Sequence, residues 1–177
     1  MNKATTSVVA ALGALTLGAV TWVAGPLAPA PAQAGNTSAT MSFDVRFSPF
    51  FLLDFRPTGV REITSFQDPN LDPSKGDQTI FRDDLLRRGH VVGHESGTCT
   101  ATEDPSAQGV LPIICQMTVE LPQGQITAQG ATSNDPEKHL AITGGTGRYV
   151  GAVGEVILTE FGNETGSLVV HLAKRES

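Results

Sequence analysis

Residues 115–130 carry the pattern that most restricts the fold. Cys115, Met117, Val119 and Leu121 alternate with Gln116, Thr118 and Glu120. An apolar residue at every second position marks a strand with one buried face, because successive side chains point to opposite sides of the pleat. Pro122-Gln123-Gly124 then turns the chain, and Gln125 to Gly130 returns with Ile126 and Ala128 on one face. The two runs predict an antiparallel hairpin.

The rest of the chain extends that unit. With 19 Gly and 11 Pro in 177 residues, punctuation is too dense for a helical bundle and suits short strands joined by turns. Phe43, Phe47, Phe50, Phe51 and Phe55 predict one long strand, or two short ones bent at Pro49, with the rings most simply in the core and a ligand-stacking role for one of them as the alternative. Further strands are expected at Ile80–Leu86, near 98–102, at 112–121, Leu140–Thr143, Glu155–Phe161 and Leu168–Leu172. Counting the first segment once, about eight strands and no helix are expected, and the short connections make neighbours antiparallel.

The N-terminus reads as an address. Lys3, an apolar run from Val8 to Gly25 and a Pro-Ala stretch ending in Ala32-Gln33-Ala34 form a cleavable secretory signal of bacterial style over 1–34. An uncleaved membrane anchor is the competing reading. A flexible leader at 35–40 and a β-barrel domain at 41–177 would follow, secreted and with no membrane segment after cleavage. Lys and Arg number 12 against 18 Asp and Glu, a net charge of -6, which argues against nucleic-acid binding.

Export makes the two cysteines legible. If the flanking runs form a hairpin centred on Ala107, Cys99 and Cys115 face each other and form a disulfide. Two free thiols are the alternative. Asp68-x-Asn70-x-Asp72 has the alternation of a calcium loop, but Pro73 stands where the sharp turn needs Gly, and Thr79 where a bidentate Glu belongs. Turn formation by Asp and Asn is the simpler reading. On a strand, His90 and His94 lie too far apart to share a zinc ion. No cofactor or metal is expected.

Gly144, Gly145, Gly147 and Gly151 follow a strand, yet they do not form a nucleotide loop. Val150 occupies the third Gly position, and too little chain remains for the crossover helix and second strand. They are expected to form a tight structural connection between two strands.

The residues Leu140-Ala141-Ile142-Thr143-Gly144-Gly145-Thr146-Gly147, with Tyr149, Gly151 and Gly154-Glu155-Val156, resemble the signature of the allene oxide cyclase and dirigent barrels. Leu121 to Ile126, Gln129-Gly130, Gly76-Asp77 with Phe81 and Leu85, and Gly97-Thr98-Cys99 fit the same pattern, so the resemblance spans 76–172. It implies an all-β fold, a closed eight-stranded antiparallel β-barrel with a cavity. The plant members are often trimeric, so a homo-oligomer is implied here. Plant cyclases isomerise a fatty-acid epoxide, dirigent proteins steer the coupling of phenolic radicals, and bacterial relatives cyclise polyketides.

The resemblance carries few site residues over. Asp54 is the nearest candidate, by position, for the acidic residue on the cyclase's first strand, where it would stabilise a developing cation or hold a water. Cys99 resembles a cavity cysteine of the plant cyclases. The dirigent Arg after the glycine loop has no counterpart in Gly151-Ala152-Val153-Gly154. Two functions follow as expectations. One is a barrel that holds a small hydrophobic ligand and guides its cyclisation or stereoselective coupling. The other is a non-catalytic secreted ligand-binding or surface-interaction barrel.

Overall fold

A computed structural model of the chain describes residues 38–65 and 67–173. The signal segment expected at 1–34 lies outside the described residues, as do residues 35–37 of the leader. Ten strands run β1 (Ala39–Arg46), β2 (Leu52–Arg56), β3 (Gly59–Ile63), β4 (Gln78–Arg87), β5 (His90–Ala101), β6 (Pro112–Leu121), β7 (Gly124–Ser133), β8 (Glu137–Gly145), β9 (Gly154–Glu160) and β10 (Thr165–Leu172). The first strand takes in Ala39 and Thr40 of the leader, which pair with Leu172 and His171.

Eight of these strands close a barrel in the order β1-β10-β9-β8-β7-β6-β5-β4, and β1 completes the circle by pairing with β4 through Val45 and Leu85. Every neighbouring pair is antiparallel. Closure leaves no free edge in the wall. The remaining two strands form a hairpin outside the circle. In it Arg56 pairs with Gly59 around Pro57-Thr58, and β2 reaches the barrel through Leu52 and Leu53 against the start of β4. The aromatic segment is therefore two strands, separated at Phe47 to Phe51 around Pro49. Its partner β3 was not expected from the pattern: Val60 is its only apolar residue before Ile63, and four of its five residues are exposed.

The hairpin predicted at 115–130 is β6 and β7. Cys115, Met117 and Val119 are buried with Ile126 and Ala128, as the alternation requires. The strand expected at Ile80–Leu86 is the inner part of β4, and the one expected near 98–102 is the C-terminal end of β5, which begins eight residues earlier at His90 and ends at Ala101. Register places Cys99 opposite Cys115, and the two sulfurs are bonded. The residues of the apparent calcium loop are turn formers: Asp68 Oδ1 accepts from the Asn70 amide at 2.8 Å. His94 pairs with Asp84 at 3.1 Å.

The glycine segment includes a single 3-10 turn, Gly147–Tyr149. Gly147 has φ +56, and a Cβ there would stand 2.3 Å from the Gln123 carbonyl oxygen. A Cβ on Gly145 would stand 2.5 Å from the Gln125 oxygen. This close approach lets the Tyr149 side chain fold under one end of the barrel, where its hydroxyl meets Met41 Sδ at 3.7 Å. Phe43, Val119, Ile126, Val156, Leu168 and Val170 fill this half of the lumen as a packed core.

Candidate active site in the barrel lumen

The opposite half of the barrel is hollow. A cavity of about 400 Å3 lies under the loops that join β1 to β2, β3 to β4, β5 to β6 and β7 to β8. Phe47, Phe50, Leu71 and Leu111 stand at its mouth, and Phe81, Met117, Leu140 and Leu158 line its wall. Phe81 faces Gly97 across the β4–β5 pair, and a Cβ on Gly97 would stand 2.8 Å from the ring tip. The glycine thus makes room for the ring. Both Cys99 and Cys115 also line this cavity, so the disulfide belongs to the wall.

The polar groups come from inward positions that the period-two rule assigns to core. Asp83 on β4, Lys138 on β8 and Glu160 on β9 line the cavity together with Asn134. Lys138 Nζ donates to Glu160 Oε1 at 2.7 Å and to the Asp135 carbonyl at 2.9 Å. The Ser48 amide donates to Asp83 Oδ1 at 2.6 Å. Glu95 on β5 is the register partner of Asp83 and is 0% exposed, and neither of its oxygens has a hydrogen-bond partner.

The electrostatics follow from burial. Desolvation, with Asp83 and Glu160 nearby, pushes the Glu95 carboxyl up to about 8. Asp83 is also raised, chiefly by desolvation; the Ser48 amide and hydroxyl act against this, while Asp84 and Glu160 reinforce it. A carboxyl that keeps its proton near neutrality beside another carboxyl is the arrangement used for proton transfer in water-poor sites.

Residues 61–171 match the allene oxide cyclase barrel like domain. The chain belongs to this family. Among solved structures, a pyocyanin demethylase is 27% identical with a TM-score of 0.62, covering 76% of this chain and 100% of that one. A Diels-Alderase from Streptomyces koyangensis is 17% identical with a TM-score of 0.58, covering 78% of this chain and 64% of that one. A pterocarpan synthase dirigent protein is 16% identical with a TM-score of 0.53, covering 80% and 97%. The last two likenesses are of fold. No curated protein matches the chain.

In this allene oxide cyclase-like barrel, Asp54 lies on the outer hairpin and does not line the cavity. It is 1% exposed, with Oδ1 2.5 Å from Arg56 Nε and Oδ2 2.6 Å from Arg61 Nη2. Burial pushes its carboxyl up, but Arg61 and Arg56 outweigh burial and hold it below its usual value. The same two guanidiniums donate to the backbone oxygens of Asn70 and Asp72. The triad thereby ties the hairpin to the loop that supplies Leu71 and Pro73 to the cavity. A second hollow, of about 710 Å3, lies outside the barrel along Arg56, Arg61 and Asn70, open to solvent.

Asp83, Glu95, Lys138 and Glu160 were not singled out from the sequence. Their one signal is a charge at an inward position: Asp83 two residues before Leu85, and Lys138 two before Leu140. That signal becomes readable only when the strand ends are known.

Proposed function

We propose that this barrel takes a small hydrophobic molecule into the lumen and promotes its cyclisation or a related rearrangement by confinement and proton transfer. Asp83 and Glu160 are the groups that touch the substrate. Glu95 is the buried proton reservoir behind Asp83, and Lys138 holds Glu160 in place. The observation that carries this reading is the pair of facing carboxyls, Asp83 and Glu95, beside a mostly apolar cavity. Confinement of a reactive molecule in one geometry supplies several kcal/mol by itself, and a positioned acid or base typically adds a factor of about 10² to 10⁴.

Likeness to a pyocyanin demethylase over that protein's whole length supports a ring-bearing substrate and bond-breaking or bond-making chemistry. The Cys99–Cys115 disulfide supports export to an oxidising compartment. Asp54, in this reading, positions the hairpin and the cavity mouth. Assembly as a homo-oligomer remains part of the proposal through family likeness.

The test is native mass spectrometry of the protein purified from culture medium, looking for a co-purifying hydrophobic compound. Turnover of that compound by the wild type, Asp83→Asn and Glu160→Gln then follows. Loss of turnover with retained binding in either variant supports the reading. Retained binding with no turnover in the wild type would instead identify a non-catalytic carrier.

A further inference from the structure

The lumen holds unequal charge. Two carboxyls, Asp83 and Glu160, line the cavity against one ammonium, Lys138, and Glu95 lies buried opposite Asp83. Lys138 is committed to Glu160 and to the Asp135 carbonyl. Among the described residues, Asp83 and Glu95 have no cation beside them. The Asp83 carboxylate therefore projects a negative potential into a space that excludes most water, where charge acts at longer range than in solvent. The rings of Phe47, Phe50 and Phe81 line the same space, and their faces also attract positive charge.

We propose that the lumen selects an aromatic cation, seated among these rings and against Asp83, and that binding it drives a proton off Glu95. The inference rests on the lumen being the ligand site, as proposed above. The groups that face Glu95 set the sign. Asp83 from β4 and Glu160 from β9 both disfavour its ionisation, and Val119, its partner on β6, carries no charge. An arriving cation offsets that repulsion. The step is Glu95–COOH to Glu95–COO− with the proton released to buffer, so no other reactant is needed. Below pH 8 the cation's affinity then rises with pH, because each step upward makes proton release easier.

The probe is N-methylacridinium, compared with neutral acridine of nearly the same shape. Each is titrated into the full chain at pH 7.5 and followed by fluorescence and calorimetry. The cation is expected to bind at least tenfold tighter than acridine. Its binding heat should differ between two buffers of unlike ionisation enthalpy, which reports the released proton. Glu95→Gln should abolish that difference, and Asp83→Asn should erase the preference for the cation. Equal affinity for both probes would overturn the cation inference and leave the lumen as a neutral-ligand site. If neither probe binds, the reading of the lumen as the ligand site falls and the inference with it. Circular dichroism identifies a variant that fails to fold, and the wild-type comparison decides the matter in that case.

Discussion

Asp83 and Glu95 stand opposite each other on neighbouring barrel strands, both inside the wall and neither with a counter-ion among the described residues. Directly opposed side chains have Cβ atoms about 4.5–5.5 Å apart. Two acids at that spacing, out of water, do not both ionise at low cost. Burial of the pair therefore couples the stability of the fold to pH.

That coupling has a definite sign. The Glu95 carboxyl is raised to about 8 in the folded chain, from 4.5 for an unperturbed Glu. The folded state holds the extra proton between these values. Its stabilising contribution is complete below pH 4.5 and is lost as pH rises through 8. Urea denaturation across this range should show Glu95→Gln losing roughly 2–4 kcal/mol less than the wild type between its ends. Parallel pH profiles for the two proteins would show that Glu95 ionises freely in the fold.

The disulfide closes a span of 16 residues between β5 and β6. Reduction, or the double change Cys99→Ala with Cys115→Ala, should lower stability by about 3 kcal/mol by freeing the unfolded chain. Thermal melts with and without dithiothreitol measure it. Because both sulfurs also line the cavity, the reduced protein should bind lumen ligands more weakly than the oxidised one.

Asp54→Asn should loosen the hairpin without opening the barrel. It removes the charge that Arg56 and Arg61 share, while the barrel ladders are untouched. Amide exchange in β2 and β3 should speed up about tenfold or more, with β6 and β7 unchanged. Uniform acceleration across all strands would contradict a local role for the triad.

Gly147→Ala combines a left-handed backbone with a Cβ 2.3 Å from a carbonyl oxygen. A cost of roughly 1–3 kcal/mol is expected, seen as a lower urea midpoint. Gly109→Ala is the control: it shares a positive φ but has open space around the new methyl, so its loss should be smaller.

At the cavity mouth, Leu111→Trp adds bulk to a partly buried position. The expected result is unchanged stability within about 0.5 kcal/mol and at least tenfold weaker ligand uptake. Unimpaired uptake would show that ligands enter elsewhere.

Much of this architecture was legible along the chain because strand periodicity is local. The alternation from Cys115 to Leu121 and the turn at Pro122 identify β6 and β7, and the same arithmetic pairs Cys99 with Cys115. The outer hairpin was half legible. The rings at Phe51 and Phe55 point to β2, but β3 presents mainly exposed residues and is held by its partner. Asp54 was legible as a buried acid. Its role depends on Arg56 and Arg61, which only the hairpin register brings to it.

The sequence by itself determined the barrel strands, most of their turns, the disulfide and the family, since each depends on residues close together or on a motif read in order. Only the tertiary structure decided which half of the barrel is filled and which is hollow. It also decided that Asp83, Glu95, Lys138 and Glu160 meet inside. Asp83 and Glu95 meet across the β4–β5 pair, and Lys138 and Glu160 across the β8–β9 pair, but only the closed barrel brings the two pairs together. The physical reason is that an inward charge has no local signature: its cost and its use both arise from what the far wall places beside it.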